Sequence, residues 1–245
     1  MTRGVVLALA GAAAAAALPG CGPVETPAHN PTAVSGAPAA APPVARPDDE
    51  GNAPHDTRPS FAPSAMPDAK AGAEQVERLE KGGGVEKSNW VPPGRSERYG
   101  HAEILVKGTL EAVRAIVTDV AHYKDLAPGR FKTSRVVDKH EGTTDLYIQI
   151  PVLHGLLVLW QVVRFDDLRA PTPGLEIVEG RLVKGNVKNM NIVVVARAVD
   201  AERTVVTCDL MIEPFFIAPQ VAIDEETRDA CGDALASVRD RAEHK

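Results

Sequence analysis

The sequence predicts an α+β domain with an antiparallel sheet of about seven strands, two short helices after the first strand and a long C-terminal helix. An apolar helical pattern ending at Pro128-Gly129 follows the first strand-like segment. Further strand-like segments then succeed one another with turn residues between them, and residues 223–244 form one amphipathic helix. This order places the strands in one layer and the final helix across their concave face.

The first predicted strand, residues 99–107, ends at Gly108 and leads into a helix. Thr109 has the residue type and the position of a helix N-cap. An apolar stripe at three- and four-residue spacing follows, formed by Leu110, Val113, Ile116, Val117, Val120, Tyr123 and Leu126. We therefore expect a helix and a second short helical turn before the Pro-Gly stop.

The middle of the chain predicts a meander of six further strands. They are residues 133–138, 144–151, 156–166, 175–183, 189–199 and 204–213. Gly142, Gly155, Pro171 to Gly174 and Gly185-Asn186 supply turn residues between them. Residues 156–164 read L-L-V-L-W-Q-V-V-R, so both faces of this strand are apolar over most of its length. Such a strand is covered on both faces or lines a closed space.

The last segment predicts a helix with one buried side. Its apolar stripe consists of Ile223, Thr227, Cys231, Leu235, Val238 and Ala242. Asp, Glu and Arg occupy the opposite face.

Composition predicts one folded domain, at residues 85–245, in a chain of 245 residues. The first third is dominated by Ala, Pro and Gly and has few side chains that build a core. The formal net charge of -6 provides no basic surface, and no Arg/Lys stripe with interleaved aromatics is present. We therefore expect no nucleic-acid partner.

The N-terminus predicts export. Residues 1–20 have one Arg, a short apolar run and a Pro-Gly break, as in a signal peptide. L-P-G-C at residues 18–21 resembles the lipobox of bacterial lipoproteins, which implies cleavage before Cys21 and lipidation of that residue. The alternative is an ordinary secretory signal in which Cys21 is incidental. Gly22 stands where Asp would imply inner-membrane retention, so the resemblance favours an outer-membrane lipoprotein facing the periplasm.

Residues 21–84 predict a Pro/Ala-rich disordered linker, because the segment lacks a hydrophobic period. A short helix is expected near its end at residues 73–81, before Gly82-Gly83-Gly84. Oligomeric state is not addressed by any of these patterns.

Two cysteines lie in the folded part, Cys208 in a strand and Cys231 in the final helix. In an oxidising compartment a disulfide between them is compatible with the sequence, as are two buried free thiols. No C-x-x-C, H-E-x-x-H or Cys/His cluster predicts a metal site, and no cofactor is predicted.

The element order and two short motifs resemble a known superfamily. V-T-D-V-A-H-Y-K-D-L-A-P-G at residues 117–129 and S-R-V-V-D at residues 134–138 resemble the START-like (SRPBCC) superfamily, in its polyketide cyclase and coenzyme Q-binding branch. The resemblance spans residues 99–242. It implies a helix-grip fold, in which a curved sheet wraps the C-terminal helix around an apolar cavity for lipids, quinones or polyketides.

The cluster at residues 122–125 allows two interpretations. His122 with Tyr123 or Asp125 suits proton transfer. However, neighbouring helical residues point in different directions, so we favour packing of Tyr123 in the apolar seam and solvation of Lys124 and Asp125. Tyr123 then remains a candidate for contact with a cavity.

The other candidates concern the walls and the mouth of a cavity. Trp160 either stacks on a ligand or fills the core. Phe215 and Phe216 either form a lid or plug the space beneath the helix. The predicted ligand-binding residues are Tyr123, Trp160, Leu182, Ile192, Phe215 and Phe216. Arg164, Glu176 and Arg181 either face a polar ligand head or lie on the solvated face.

These observations favour a lipid-anchored periplasmic domain that binds or carries a hydrophobic small molecule. No nucleophile, metal set or phosphate loop is recognised, so catalysis is not predicted. The alternatives are an enzyme of the polyketide cyclase or aromatase type, and an envelope interaction module with a collapsed cavity.

Overall fold

The computed structural model describes residues 67–140, 142–152, 157–166 and 173–244. The predicted signal peptide, Cys21 and most of the predicted linker lie outside the described residues. Gly155 in the predicted turn after β4 also lies outside them.

The described residues contain three α-helices, a 3₁₀ helix and eight strands. The helices are α1 (Ala69–Gly82), α2 (Leu110–Val117), the 3₁₀ helix (Val120–Asp125) and α3 (Gln220–Glu243). The strands are β1 (Glu86–Trp90), β2 (Tyr99–Val106), β3 (Thr133–His140), β4 (Thr143–Val152), β5 (Leu157–Asp166), β6 (Leu175–Gly185), β7 (Val187–Ala198) and β8 (Thr204–Pro214). The predicted α+β class is confirmed.

The strands form one antiparallel sheet in the order β1-β2-β8-β7-β6-β5-β4-β3. The eighth strand is β1, which pairs with β2 from Glu86 opposite Glu103 to Trp90 opposite Tyr99. Its sequence, E-K-S-N-W, lacks apolar alternation. A short polar edge strand of this kind leaves no periodic signal, which is why the sequence predicts about seven strands.

Helices cover the inner face of the sheet unevenly. The long helix α3 packs against β1, β2 and β8, whereas α2 packs against β6 and β7 and the 3₁₀ helix against β3 and β4. As predicted, Thr109 caps α2, and its hydroxyl accepts a hydrogen bond from Ala112 N at 3.1 Å. The inner face of β4 to β6 therefore lies across from α3 rather than directly beneath it.

The helix α3 approaches β2 very closely at Gly100. A Cβ atom at this position would lie 2.3 Å from Arg228 N and 2.4 Å from the carbonyl carbon of Thr227. The Sγ of Cys231 lies 3.5 Å from the carbonyl oxygen of Gly100. Only glycine allows the two backbones to meet in this way.

Cys208 and Cys231 are buried free thiols in the structure. They lie close enough for a hydrogen bond between the two thiols, and burial together with that contact raises the pKa of Cys231. Of the two alternatives left by the sequence, the structure contains the pair of small buried side chains.

A polar network on the outer face joins α1, β1, β2 and β8. Trp90 Nε1 donates to Asp209 Oδ1 at 2.6 Å, and His101 Nδ1 lies 2.7 Å from the same oxygen. His101 Nε2 lies 3.2 Å from Glu103, whose carboxylate also accepts a hydrogen bond from Gln75 on α1 at 2.6 Å. The helix predicted at residues 73–81 is thus longer than expected and packs on the sheet.

The network shifts two pKa values in opposite directions. Burial alone would lower the pKa of His101, but hydrogen bonds to Asp209 and Glu103 outweigh it and raise that pKa to about 9. For Glu103, burial acts to raise the pKa, and the bonds to His101 and Gln75 lower it to about 2. His101 is therefore a protonated imidazolium at neutral pH.

No helix within residues 67–244, gaps excepted, has both the length and the apolar character needed to cross a membrane.

We expect Gly100→Ala to lower the free energy of unfolding by about 1–3 kcal/mol or more, because the added methyl group has to push α3 away from β2. Denaturant unfolding measures this change. Gly84→Ala is the matched control, since the nearest atom to its Cβ would be 3.9 Å away. Equal stabilities of the two variants would contradict the close backbone contact.

We expect the stability of the wild-type chain to fall relative to His101→Gln as the pH rises from about 6.5 to about 9. The folded-state pKa of His101 lies above the ordinary histidine value of 6.5, so its contribution to stability is complete below pH 6.5 and is lost by deprotonation through pH 9. The expected loss is on the order of 2 kcal/mol. Unfolding at several pH values measures it, with the exposed-residue variant His122→Gln as control. If the free energy of unfolding changes with pH in the same way for the wild type and His101→Gln, His101 is not protonated in the folded protein at neutral pH.

Candidate ligand-binding site

The inner face of β4 to β6 is an apolar wall opposite α3. Its fully buried members include Leu146, Ile148, Leu159, Val163 and Leu182. Others on the same face are only partly buried, although they pack against the core: Ile150, Val152, Leu157, Ile192, Val194 and Ile212. These side chains keep accessible surface on the inner face, so the protein's own side chains do not cover that face completely.

Several of the partly buried side chains, including Ile150, Val152 and Leu157, lie towards one end of the sheet. Val152 at the end of β4 pairs with Leu157 at the start of β5. At the same end, Val187 of β7 pairs with Pro214, after which the chain passes to α3. We call this end, with Val152, Leu157 and Phe216, the rim.

The two adjacent phenylalanines at the rim have different environments. Phe216 is partly buried and packs against the inner core, whereas Phe215 is 62% exposed. Ile217 and Val221 next to it are also exposed. Phe216 therefore packs against the core as the predicted plug would, while Phe215, Ile217 and Val221 present apolar surface to the outside.

Tyr123 packs inward from the 3₁₀ helix. Its ring meets Phe165 edge-on, with centroids 5.1 Å apart, and its hydroxyl donates a hydrogen bond to the carbonyl oxygen of Val117. Burial raises the pKa of Tyr123 well above its usual value. His122 is exposed and lies 2.7 Å from Asp119 instead. The structure therefore does not bring the cluster at residues 122–125 together as an acid/base site.

The remaining predicted residues lie on two faces of the sheet. Leu182 pairs with Val163 on the inner face, and Ile192 pairs with Gly180 there. Trp160 pairs with Gln149 on the outer face, where its ring centroid lies 6.4 Å from that of Tyr147. Thus Tyr123, Leu182, Ile192 and Phe216 share the inner side, and Trp160 does not join them.

The three charged strand residues are all paired. On the outer face, Arg164 Nε donates to Asp145 at 2.8 Å, and Arg181 Nε donates to Glu179 at 2.9 Å. Glu176 is buried on the inner face, 3.0 Å from Arg114 Nε of α2. This ion pair lies near the start of β6, far from the rim.

Two inner-face residues, Gln161 and Ser134, were missed by the sequence reasoning. Gln161 is 1% exposed, and neither its Oε1 nor its Nε2 has a hydrogen-bond partner among the described residues. The buried Oγ of Ser134 also has no partner in this part of the chain. The sequence did contain a signal for Gln161. Alternate residues of this strand that share its face, at positions 157, 159, 163 and 165, are all apolar, and Gln161 is the one polar residue among them.

A pocket of about 510 Å³ lies elsewhere, where the end of α3 meets α2 and the 3₁₀ helix. Its polar lining includes Asp119, His122 and Arg241. Arg241 donates to the carbonyl oxygen of Asp125 at 2.9 Å, so both His122 and Arg241 are engaged within the protein. The described part of the chain holds no group of three or more His, Cys, Asp or Glu side chains arranged for a metal ion.

Comparison with solved structures bears on this architecture. A StAR-related lipid transfer protein from Xanthomonas axonopodis superimposes with a TM-score of 0.54 at 16% identity, covering 66% of this chain and 94% of that one. The chain has the START-like helix-grip fold. Human StAR-related lipid transfer protein 5 matches with a TM-score of 0.51 at 13% identity, over 71% of this chain and 94% of that one.

A START superfamily protein from Mycobacterium smegmatis matches with a TM-score of 0.50 at 14% identity, over 59% of this chain and 97% of that one. The chain matches no protein-family model and no curated protein. At these identities the likeness establishes the fold, and function has to be argued from the site.

Proposed function

We propose that this protein is a lipid-anchored domain of the cell envelope that binds or carries a hydrophobic small molecule between α3 and the inner face of β4 to β6. The observation that carries the proposal is the set of partly buried apolar side chains on that face, which includes Ile150, Val152 and Leu157. Burial of a ligand against such a wall is favourable by about 25 cal/mol per Å² of apolar surface.

The exposed apolar side chains at the rim support the same function. Phe215, Ile217 and Val221 lie within seven residues of one another, and each is more than half exposed. Exposed apolar groups next to the entrance of an apolar space suit contact with the surface that supplies the ligand. The StAR-related lipid transfer proteins that share the fold support a lipid-like ligand.

Binding is favoured over the cyclase alternative by the polar groups on the inner side. The Tyr123 hydroxyl is already bonded to Val117, and burial keeps the Cys231 thiol protonated by raising its pKa. Acid/base or nucleophilic chemistry needs groups that are free to exchange protons with a substrate.

The proposed setting rests on the sequence. The lipobox-like L-P-G-C ending at Cys21 supports a lipid anchor, and Gly22 supports the outer membrane. The Pro/Ala-rich segment that follows would connect this anchor to the domain.

We expect Leu157→Trp to weaken the binding of N-phenyl-1-naphthylamine, a neutral apolar dye, by about tenfold or more, because the larger side chain occupies the space at the rim. Dye fluorescence titration of the full chain measures the affinity. Val158→Trp is the matched control, since Val158 is the next residue, is equally half-buried and pairs with Pro151 on the outer face. Absence of dye binding by the wild-type chain, or equal loss in both variants, would contradict the proposed site.

We expect Cys21→Ala to move the protein from the membrane fraction to the soluble periplasmic fraction of a bacterial host, because the acyl chains supply the membrane affinity. Fractionation followed by immunoblotting measures the distribution. Cys231→Ala is the control for loss of a cysteine within the folded domain. Unchanged partitioning of Cys21→Ala would disprove the lipid anchor.

A further inference from the structure

Gln161 is a buried amide in an apolar wall. It pairs with Ile148 on β4, and its neighbours at the same parity of β5 are Leu159 and Val163. Its side chain can donate two hydrogen bonds and accept two, and it makes none with the residues that the structure describes.

A second unpartnered group lies in the same row across the sheet. Ser134 of β3 pairs with Ile148, which in turn pairs with Gln161, and Gln161 pairs with Gly185 of β6. The Oγ of Ser134 is buried without a partner. On the far side of Gln161, Gly185 presents no side chain. The row therefore places one neutral polar group on each side of Ile148.

Leaving these groups unpaired costs free energy in the empty protein. Each buried polar group without a partner destabilises the folded state, whereas an apolar side chain of similar volume would avoid that penalty. A ligand group or a water molecule that bonds to the amide removes the penalty.

We propose that Gln161, with Ser134, binds the uncharged polar group of the ligand, and that the ligand is a neutral amphiphile carrying a hydroxyl or a carbonyl. This inference rests on the proposed function, since it requires a ligand in the inner space. An amide and a hydroxyl together donate to a carbonyl and accept from a hydroxyl, but supply no charge.

The charges of neighbouring elements are engaged elsewhere or exposed. Arg130 is paired with Glu226 and Asp233 of α3, each at 2.7 Å, and Lys132, two residues before Ser134, is exposed. Arg164 and Arg181 lie on the outer face with Asp145 and Glu179. Arg114 on the inner side is paired with Glu176, nine residues along β6 from Gly185. A carboxylate or phosphate at Gln161 would therefore be buried without a described counter-charge, which is strongly unfavourable.

The position of Gln161 also orients the ligand. It lies four residues along β5 from Leu157 at the rim, or roughly 13 Å at the rise of a strand. The polar group then sits inside the protein, and the apolar tail extends past Leu157 and Val152 towards the exposed side chains at Phe215 and Ile217.

The test uses the full chain and three probes with the same tail: 1-dodecanol, 2-dodecanone and dodecanoate. Displacement of N-phenyl-1-naphthylamine at pH 8 measures their affinities for the wild type, Gln161→Met and Ser134→Ala. We expect the alcohol and the ketone to bind about tenfold more tightly than dodecanoate. Gln161→Met should lose most of that preference, measured within each variant as the ratio of its alcohol and dodecanoate affinities, and Ser134→Ala should lose part of it.

Thermal unfolding without ligand supplies a second readout. Gln161→Met should unfold at the same or a higher temperature than the wild type, because an unpaired amide has been removed. A lower unfolding temperature together with unchanged alcohol binding would overturn the inference and assign Gln161 a structural role. Dye binding without any preference among the probes would overturn the inference while leaving the proposed function intact. If the wild-type chain binds neither the dye nor any of the three probes, both this inference and the proposed function are refuted.

Discussion

The contact between α3 and β2 at Gly100 is the constraint on which the arrangement depends. Because glycine allows the backbone of Thr227 and Arg228 to rest directly on the strand, α3 is held against β1, β2 and β8. The sheet continues through five more strands, and its curvature carries β4 to β6 round to face the helix from a distance. A helix held at one side of a curved sheet leaves the inner face of β4 to β6 less completely covered, and that face is the candidate site.

The two faces of the sheet use polar groups in opposite ways. On the outer face, Asp209 and Glu103 are bonded to Trp90, His101 and Gln75, and this network attaches α1 and β1 to the sheet. On the inner face, Gln161 and Ser134 have no partner among the described residues. Satisfied buried polar groups stabilise a fold, whereas unsatisfied ones are a cost that only a ligand or water can remove. The contrast supports the proposed binding site on the inner side.

Much of the architecture could be predicted from local patterns. The stripe from Thr227 to Val238 predicted the buried face of α3, and the Thr109 cap predicted the start of α2. The edge strand β1 could not be predicted, since E-K-S-N-W has no apolar period. Placement of Trp160 required the register of β5 against β4, because both parities of that strand are apolar. Gln161 was visible as a polar interruption, but its lack of a partner is a property of the folded structure.

Native mass spectrometry of the full chain, with chemical analysis of the extracted ligand, tests the central claim most directly. The structure predicts a bound molecule that survives purification from a bacterial host, with an apolar tail and a hydroxyl or carbonyl as its polar group. Gln161→Met should retain less of it than the wild type. A wild-type protein that is reproducibly empty, with α3 packed down onto β4 to β6 in its crystal structure, would contradict the account.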